Sequence, residues 1–445
     1  MSQHRPAQPK SVLRGHRTQV HTTSFIRSNQ RLASGDADGF VVLWDLTIMR
    51  PRAVWRAHTN AILGITDWGE ERIITHGRDN RLVVWKLSLQ DETAMSTSLP
   101  LDESAPQRPQ PWILHILEVN TMNFCSFASC STRPDATRDR GELLVAVPNT
   151  LETEAVDIFQ LPSQNRLHTI KIGSKTEEKG MVMSVCLFWR EGCLTLTAAY
   201  ESGLAVVAQL GRNETWDILY KTQVHSQPVL SLDVAPHRDF FLTSGADAII
   251  AKHPIPAAVF TVQEPQHPRQ TDTQASDPSL LSAALALETR PAIHSTQTVP
   301  AVESQPLKSV NTKHSGQQGL RIRSDGKIFA TAGWDSKVRV YSTKTMSELA
   351  VLKWHEVGCY TVAFATLADG QAADLVKADV PGIEASDKSQ NIAATTSTAD
   401  DRDTIVAVQK LGQLSVKDRR IKMAKGAHWL AAGSKDGKIS LWDIY

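Results

Sequence analysis

The chain has 445 residues, 41% apolar and 21% charged, with 48 Lys and Arg set against 47 Asp and Glu. So even a balance excludes a global electrostatic pull toward nucleic acid or an acidic membrane, leaving only local patches to consider. No run approaches the roughly 18 apolar residues of a membrane span, and the opening MSQHRPAQPK lacks the apolar core of a secretory signal. The five cysteines form no CxxC pair. Cys125 and Cys130 read as buried free thiols within NFCSFASC, and an intracellular protein is expected.

Length alone suggests two or three domains, but internal repeats overrule that count. From Arg14 the chain reads RGHRTQV, followed by LASGDADGFVVLWDL from Leu32 to Leu46. The pattern returns as RAHTNAI from Arg56 and IITHGRDNRLVVWKL from Ile73 to Leu87. Later copies are FLTSGADAIIAKHPI from Phe241, FATAGWDSKVRVYS from Phe329 and LAAGSKDGKISLWDI from Leu430, with His253 and Tyr341 in two of the Trp places. The turn Asp and the closing residue are six positions apart in all five: Asp38 and Trp44, Asp79 and Trp85, Asp247 and His253, Asp335 and Tyr341, Asp436 and Trp442. An upstream His precedes that closing residue by 28, 27, 28 and 27 positions at His16, His58, His225 and His314. From His355 to Trp442 the interval is 87, so about sixty residues are inserted there.

Between Leu87 and Trp216 two degenerate copies are expected. One runs through TMNFCSF, ELLVAV and AVDIFQL, the other through MVMSVCLFW, CLTLTAAY and GLAVVAQL. Three segments fit no repeat. About 88–111 reads as a polar surface loop, about 254–306 as a disordered insertion, and about 368–427 as an insertion within the last repeat. Inside the second, SDPSLLSAALALE has Asp277 as a cap and Pro278 at the first turn, which fits either a partner-binding helix or one folded onto the rim. The third ends in VKDRRIKMAK. Its Arg419, Arg420 and Lys422 could serve nuclear import or nucleic-acid contact, although a solvated strand or loop is the commoner meaning of such a run.

The His…Gly-Asp…Trp-Asp pattern resembles the WD-repeat family, whose repeats each form a four-stranded propeller blade. The resemblance implies an all-β, seven-bladed WD40 β-propeller over 1–445. Five blades have clear repeats and two are inferred. It also implies one hydrogen-bonded chain per blade: His16, Ser34, Asp38 and Trp44; His58, Thr75, Asp79 and Trp85; His225, Thr243 and Asp247; His314, Thr331 and Asp335; His355, Asp436 and Trp442. A Ser, His and Asp together evoke acyl transfer, but an enzyme needs one such set, whereas a fastener can recur in every blade. Pro9 to Arg14 precede the first blade and are expected to pair with Ile439 to Ile444, closing the ring.

No phosphate loop, HExxH, GxSxG or Cys/His metal spacing is present in the sequence. GSKDGKIS from Gly433 has the wrong spacing for a phosphate loop and reads as a blade turn. No catalytic residue, cofactor or metal is therefore expected. The opening QPKSVLRGHRTQVHTTSF, the stretch RPRAVWRAHTNAILGI and the ending HWLAAGSKDGKISLWDIY are similar to the ASTRA-associated propellers of fungi, a family related to the G-protein β-subunit-like propellers of animals. That similarity implies a nuclear scaffold, a subunit of the ASTRA assembly linked to chromatin remodelling and to maturation of phosphatidylinositol-3-kinase-related kinases. Its partners would be other protein subunits of that nuclear complex, with no membrane and no direct nucleic-acid contact. A G-protein β subunit would carry an N-terminal coiled-coil helix, against which Pro6 and Pro9 speak. A ubiquitin-ligase substrate receptor would show Trp-Asp-x-Arg, where Thr47 and Tyr445 stand instead. A propeller hydrolase would need a nucleophile or metal cluster in its channel, and none is recognisable.

Overall fold

Runs such as FVVLWD and RLVVWK are apolar almost throughout, which suits strands covered on both faces. The computed structural model describes residues 7–104, 106–120, 124–134, 141–172, 179–257, 302–367 and 415–444. After β1 (Ser11–Arg14) come β2 (Val20–Ile26), β3 (Arg31–Asp36), β4 (Phe40–Asp45) and β5 (Arg50–Arg56), the first blade. The second holds β6 (Ile62–Trp68), β7 (Arg72–Gly77), β8 (Arg81–Lys86) and β9 (Trp112–Glu118). The third holds β10 (Ala128–Ser131), β11 (Leu143–Pro148), β12 (Val156–Leu161) and β13 (Asn165–Ile170). The fourth holds β14 (Val182–Arg190), β15 (Cys193–Tyr200), β16 (Leu204–Leu210) and β17 (Trp216–Gln223). The fifth holds β18 (Val229–Val234), β19 (Phe240–Gly245), β20 (Ile249–Pro254) and β21 (Lys308–Asn311). The sixth holds β22 (Gln317–Ile322), β23 (Ile328–Gly333), β24 (Val338–Ser342) and β25 (Glu348–Leu352). In the seventh, β26 (Cys359–Phe364), β27 (Trp429–Ser434) and β28 (Lys438–Asp443) are completed by β1.

Each blade is a four-stranded antiparallel sheet, and the seven stand in a ring as a β-propeller. The core is divided accordingly into seven wedges, one between each pair of neighbouring blades. Between blades one and two, Trp55 and Trp85 meet edge to face with centroids 6.1 Å apart, over Ile26, Val41 and Ile62. Such rings are large apolar payloads, and truncating one buried Trp costs about 3–5 kcal/mol. The turn between the second and third strands also touches the next blade. Gly39, at φ +84, leaves no room for a Cβ because the His58 carbonyl would lie 2.0 Å from it. Gly437 and Gly203 meet the carbonyls of His16 and His225 in the same way.

β1 closes the ring as expected, in a register shifted slightly toward the chain interior. Ser11 pairs with Leu441, Leu13 with Ile439 and Arg14 with Lys438, while Lys10 donates from its backbone to Leu441 at 2.8 Å. Blades three and four are present, but the innermost strand of blade three is β10. Phe124–Phe127, inside the expected TMNFCSF strand, lie outside any strand.

The segment at about 88–111 is more than a surface loop. A 3₁₀ turn at Asp91–Ala94 buries Glu92 at 1% exposure, where Arg27, Arg31 and Arg52 converge on it. Leu99 packs on Gly15, and Val54 of β5 donates from its backbone to Ser96 at 2.8 Å. The outer edge of blade one is thereby covered, as bare sheet edges require.

The helix anticipated at SDPSLLSAALALE lies outside the described residues. The basic run forms α1 (Val416–Gly426), not the strand or loop that its charge suggested. Ser415 caps it by accepting from the Asp418 backbone at 3.1 Å, and Ala424 anchors it against Trp429, whose Nε1 donates to the Ala424 carbonyl at 3.1 Å. Arg419, Arg420 and Lys422 are exposed along it.

Candidate functional site

The second and fifth blades realise the expected networks. In blade two, His58 lies 2.8 Å from Asp79 through Nδ1 and 2.8 Å from the Thr75 hydroxyl through Nε2. Trp85 Nε1 donates to that hydroxyl at 2.8 Å. A carboxylate only accepts and an indole N–H only donates, so one assignment satisfies every group. His58 donates from Nδ1 to Asp79, and Thr75 donates to Nε2 while accepting from Trp85. Burial works against ionising Asp79, but the bonds from His58 and the Thr59 backbone outweigh it and hold the carboxyl at about 2.

Blade five repeats this with His225, Thr243 and Asp247 at 2.8 and 3.0 Å. His253 replaces the indole. Its Nε2 meets Thr243 at 2.8 Å, and its Nδ1 accepts from the Tyr220 hydroxyl at 2.9 Å, so the chain gains a member. Burial, helped by His225, pushes the His253 imidazole down to about 3, and the ring stays neutral as the donor–acceptor order demands.

Blade one uses a different carboxylate from the expected Asp38. His16 Nδ1 meets Asp36 at 2.7 Å, and Asp36 is fully buried. The place two residues after the strand hydroxyl faces the imidazole. A Cβ on Gly77 there would fall 2.4 Å from the His58 ring. Where Gly fills it, the Asp two residues later folds back; where Asp36 fills it, Asp38 is displaced outward. Asp36 also accepts from the backbones of Asp38 and Phe40, at 3.1 and 2.9 Å. Ser34 completes this blade, 2.7 Å from His16 and accepting from Trp44 at 2.8 Å.

The sixth and seventh blades depart further. His314 and Asp335 are 3.8 Å apart, beyond a hydrogen bond, because Arg339 holds Asp335 at 2.6 Å. Thr331 lies buried without making a bond to His314. In blade seven Asp436 turns to Lys438 at 2.6 Å, so it does not meet His355. Ala432 has no hydroxyl, but Ser440 supplies one, 2.8 Å from His355 Nε2 and accepting from Trp442 at 2.9 Å. His355 Nδ1 is left buried without a partner.

Sequence reasoning missed the fasteners of blades three and four. Asp157 accepts from Asn149 at 2.8 Å and from Thr169 at 2.7 Å. Gln209 donates to Thr195 at 3.0 Å. A lone Asp inside the apolar run AVDIFQL was the available signal, because a carboxylate in such a run needs donors.

The innermost strands of all seven blades line a channel of about 820 Å³. Some of its polar groups tie neighbouring innermost strands together. Thr23 and Thr361 meet at 3.2 Å, and Asp233 accepts from the Ile322 backbone at 2.7 Å. Burial raises the Asp233 carboxyl, opposed by the nearby Arg321 charge. Among the described residues, no three His, Cys, Asp or Glu side chains are grouped to hold a metal.

Seven sheets closed by an N-terminal strand and fastened by repeated buried hydrogen-bond chains define a seven-bladed β-propeller. Within that class the chain belongs to the family described as ASTRA-associated protein 1, whose family model matches residues 9–442. It is 50% identical to ASTRA-associated protein 1 of Pyricularia oryzae, over 99% of this chain and 98% of that protein. It is 51% identical to the protein of that name from Verticillium alfalfae, over 98% and 93%. The Schizosaccharomyces pombe protein is 34% identical over 80% of this chain and 93% of its own length.

Proposed function

We propose that the chain is a non-catalytic scaffold subunit of the nuclear ASTRA assembly, serving chromatin remodelling and the maturation of phosphatidylinositol-3-kinase-related kinases. The observation that carries this reading is kinship with proteins named for ASTRA association along almost the whole ring. The Ser, His and Asp side chains that imitate a catalytic set support it, since in blades one, two and five they are consumed in blade networks. A rigid ring that presents loops on two faces suits several protein contacts at once. The partners are other subunits of that complex; neither a membrane nor direct contact with nucleic acid is required.

Affinity purification of the tagged full chain, with mass spectrometry of stoichiometric partners, tests the reading. ASTRA subunits and kinase-maturation chaperones are expected. Ubiquitin-ligase subunits in their place would make the chain a substrate receptor instead. Replacing Arg419, Arg420 and Lys422 on α1 should move the tagged chain toward the cytoplasm, as seen by microscopy, if that helix serves import.

A further inference from the structure

The outer strand of a blade has a sheet partner on one side only, and this chain covers two such edges with its own segments. In blade four, Lys221 of β17 donates from its backbone to the Glu303 carbonyl at 2.9 Å, and Glu303 donates back to the Leu219 carbonyl at 3.1 Å, a parallel bridge. In blade one, Val54 of β5 donates to the Ser96 carbonyl at 2.8 Å. Val54 and Lys221 hold the same place. Each lies two residues beyond the one its β-bulge skips, Arg52 in β5 and Leu219 in β17. Ile116 of β9 has that place in blade two, beyond the skipped Leu114, as Thr169 and Val351 have it in blades three and six.

The Ile116 donor points away from its own blade. Val119 donates to the Asn80 carbonyl at 3.0 Å, and donors alternate along an antiparallel strand, so Leu117 and His115 turn toward β8 and Ile116 turns outward. Among the described residues nothing accepts from it. What sets β9 apart from the other open edges is its surface. Trp112 is 75% exposed and Ile113 and Ile116 40% each, whereas β13 and β25 each expose one large apolar side chain, Leu167 and Leu349. β9 contains no Lys or Pro, the residues that commonly guard an edge. Where the edge is covered, in blade four, the skipped Leu219 is buried. Charges beside β9 are of both signs. Arg81 lies directly across from Glu118, and Lys86 is near Asp91, whose carboxyl is held down by bonds from Ser88 and also by the Lys86 charge. The edge therefore selects neither an acidic nor a basic occupant, and suits apolar side chains on an extended backbone.

We propose that β9 docks an extended, apolar segment of a partner protein as a fifth strand of blade two. One residue of that segment exchanges backbone bonds with the Leu114 carbonyl and the Ile116 N–H, and its neighbours cover Trp112 and Ile113. The segment runs parallel to β9, as Glu303 runs to β17. That direction separates it from a second copy of this chain, because two β9 strands hydrogen-bonded about a two-fold axis run antiparallel. The proposal rests on the scaffold reading and adds to it an edge and a partner chemistry.

Selection of a displayed random-peptide library on the purified full chain tests it, with amide exchange read by mass spectrometry. Enriched peptides should be rich in β-branched and aromatic residues without a preferred charge, and binding should slow exchange over 112–118. Ile116→Pro removes the outward N–H while leaving the bonds to β8, and should weaken binding roughly tenfold, the size of one hydrogen bond. Ile116→Val keeps the N–H and should bind like the parent. Trp112→Ala should weaken binding roughly thirtyfold, as loss of an interfacial aromatic does. Thermal melts identify the variants with an intact ring, and if the Pro variant does not fold, amide exchange in the parent chain decides. No enrichment, peptides that protect other strands and leave β9 unchanged, or a dimer of the chain that Trp112→Ala disperses would overturn the proposal. The scaffold reading fails on a separate result, a tagged full chain that purifies from cells without stoichiometric partners.

Discussion

Ala432 and Ser440 face each other across β27 and β28, and the hydroxyl missing from the first is carried by the second. In blade one the equivalent pair is Ser34 and Val42, with the hydroxyl on the opposite strand. Both arrangements put one oxygen between an imidazole Nε2 and an indole N–H, within 2.7–2.9 Å of each. The blade requires the position of the oxygen and tolerates either strand as its source.

Ser440→Ala therefore leaves two buried groups, His355 Nε2 and Trp442 Nε1, without a partner. A loss of about 1–3 kcal/mol is expected in urea denaturation. Adding Ala432→Ser should restore most of it. Failure of that second change to rescue would show that the two strands are not equivalent sources.

Asp36 and Asp38 separate the same way. Asp36→Ala removes the acceptor of a buried imidazole and two turn N–H groups, and should cost about 1–3 kcal/mol. Asp38→Ala should stay within about 0.5 kcal/mol. Equal effects in paired denaturation curves would assign the fastener wrongly.

Glu92 is ion-paired with the Arg27 guanidinium, and it lies 2.9 Å from Arg31 and 3.5 Å from Arg52. Burial lowers the Arg27 pKa and Glu92 opposes that shift. Glu92→Gln removes the ion pair of the buried Arg27, for which about 3–5 kcal/mol is the usual loss, while Arg31 keeps Asp45 at 3.3 Å. The strap over β5 should then open, visible as new limited-proteolysis cuts between residues 96 and 111. A protease pattern like that of the parent chain would mean that Leu99 and the backbone bonds hold the strap without the carboxylate.

Among the described residues, three buried imidazoles carry the largest downward shifts and weigh most in the pH response. Burial, with His58 or His225 adding, pushes His76 and His253 down to about 3, and burial against the pull of Asp436 brings His355 to about 4. The unfolded chain protonates these groups near the ordinary value of about 6.5. Unfolding therefore takes up protons below that pH, and stability falls as pH drops from about 6.5 toward 4, by about 1.4 kcal/mol per unit for each fully responding group. The depressed carboxyl of Asp79 acts later: its contribution is complete above about pH 4 and is lost as pH falls toward 2. Melting temperatures measured between pH 7 and 4.5 should slope down, and His253→Trp should flatten the slope by one group. An unaltered slope in that variant would remove His253 from the account.

Much of the architecture was legible in the chain because strand register converts directly into spacing. Asp79 and Trp85 sit six positions apart since one turn and one strand separate them, and the same lengths recur wherever a blade is built alike. The blades that hide are those whose fasteners changed type. Asp157 and Gln209 keep no interval with a His, so blades three and four showed only β-prone runs.

By itself the sequence determined the repeat, most of its strands and the need for a closing segment within Pro9 to Arg14, because periodicity and interval are properties of a line. Only the tertiary structure decided that Asp36 outcompetes Asp38, that Ser440 stands in for Ala432, and that Arg339 takes Asp335 from His314. Those outcomes depend on which face a side chain takes and on what the neighbouring strand brings within about 3 Å. A carboxylate or hydroxyl two residues away in the chain can point to the opposite side of a sheet, so spacing names the candidates and packing chooses among them.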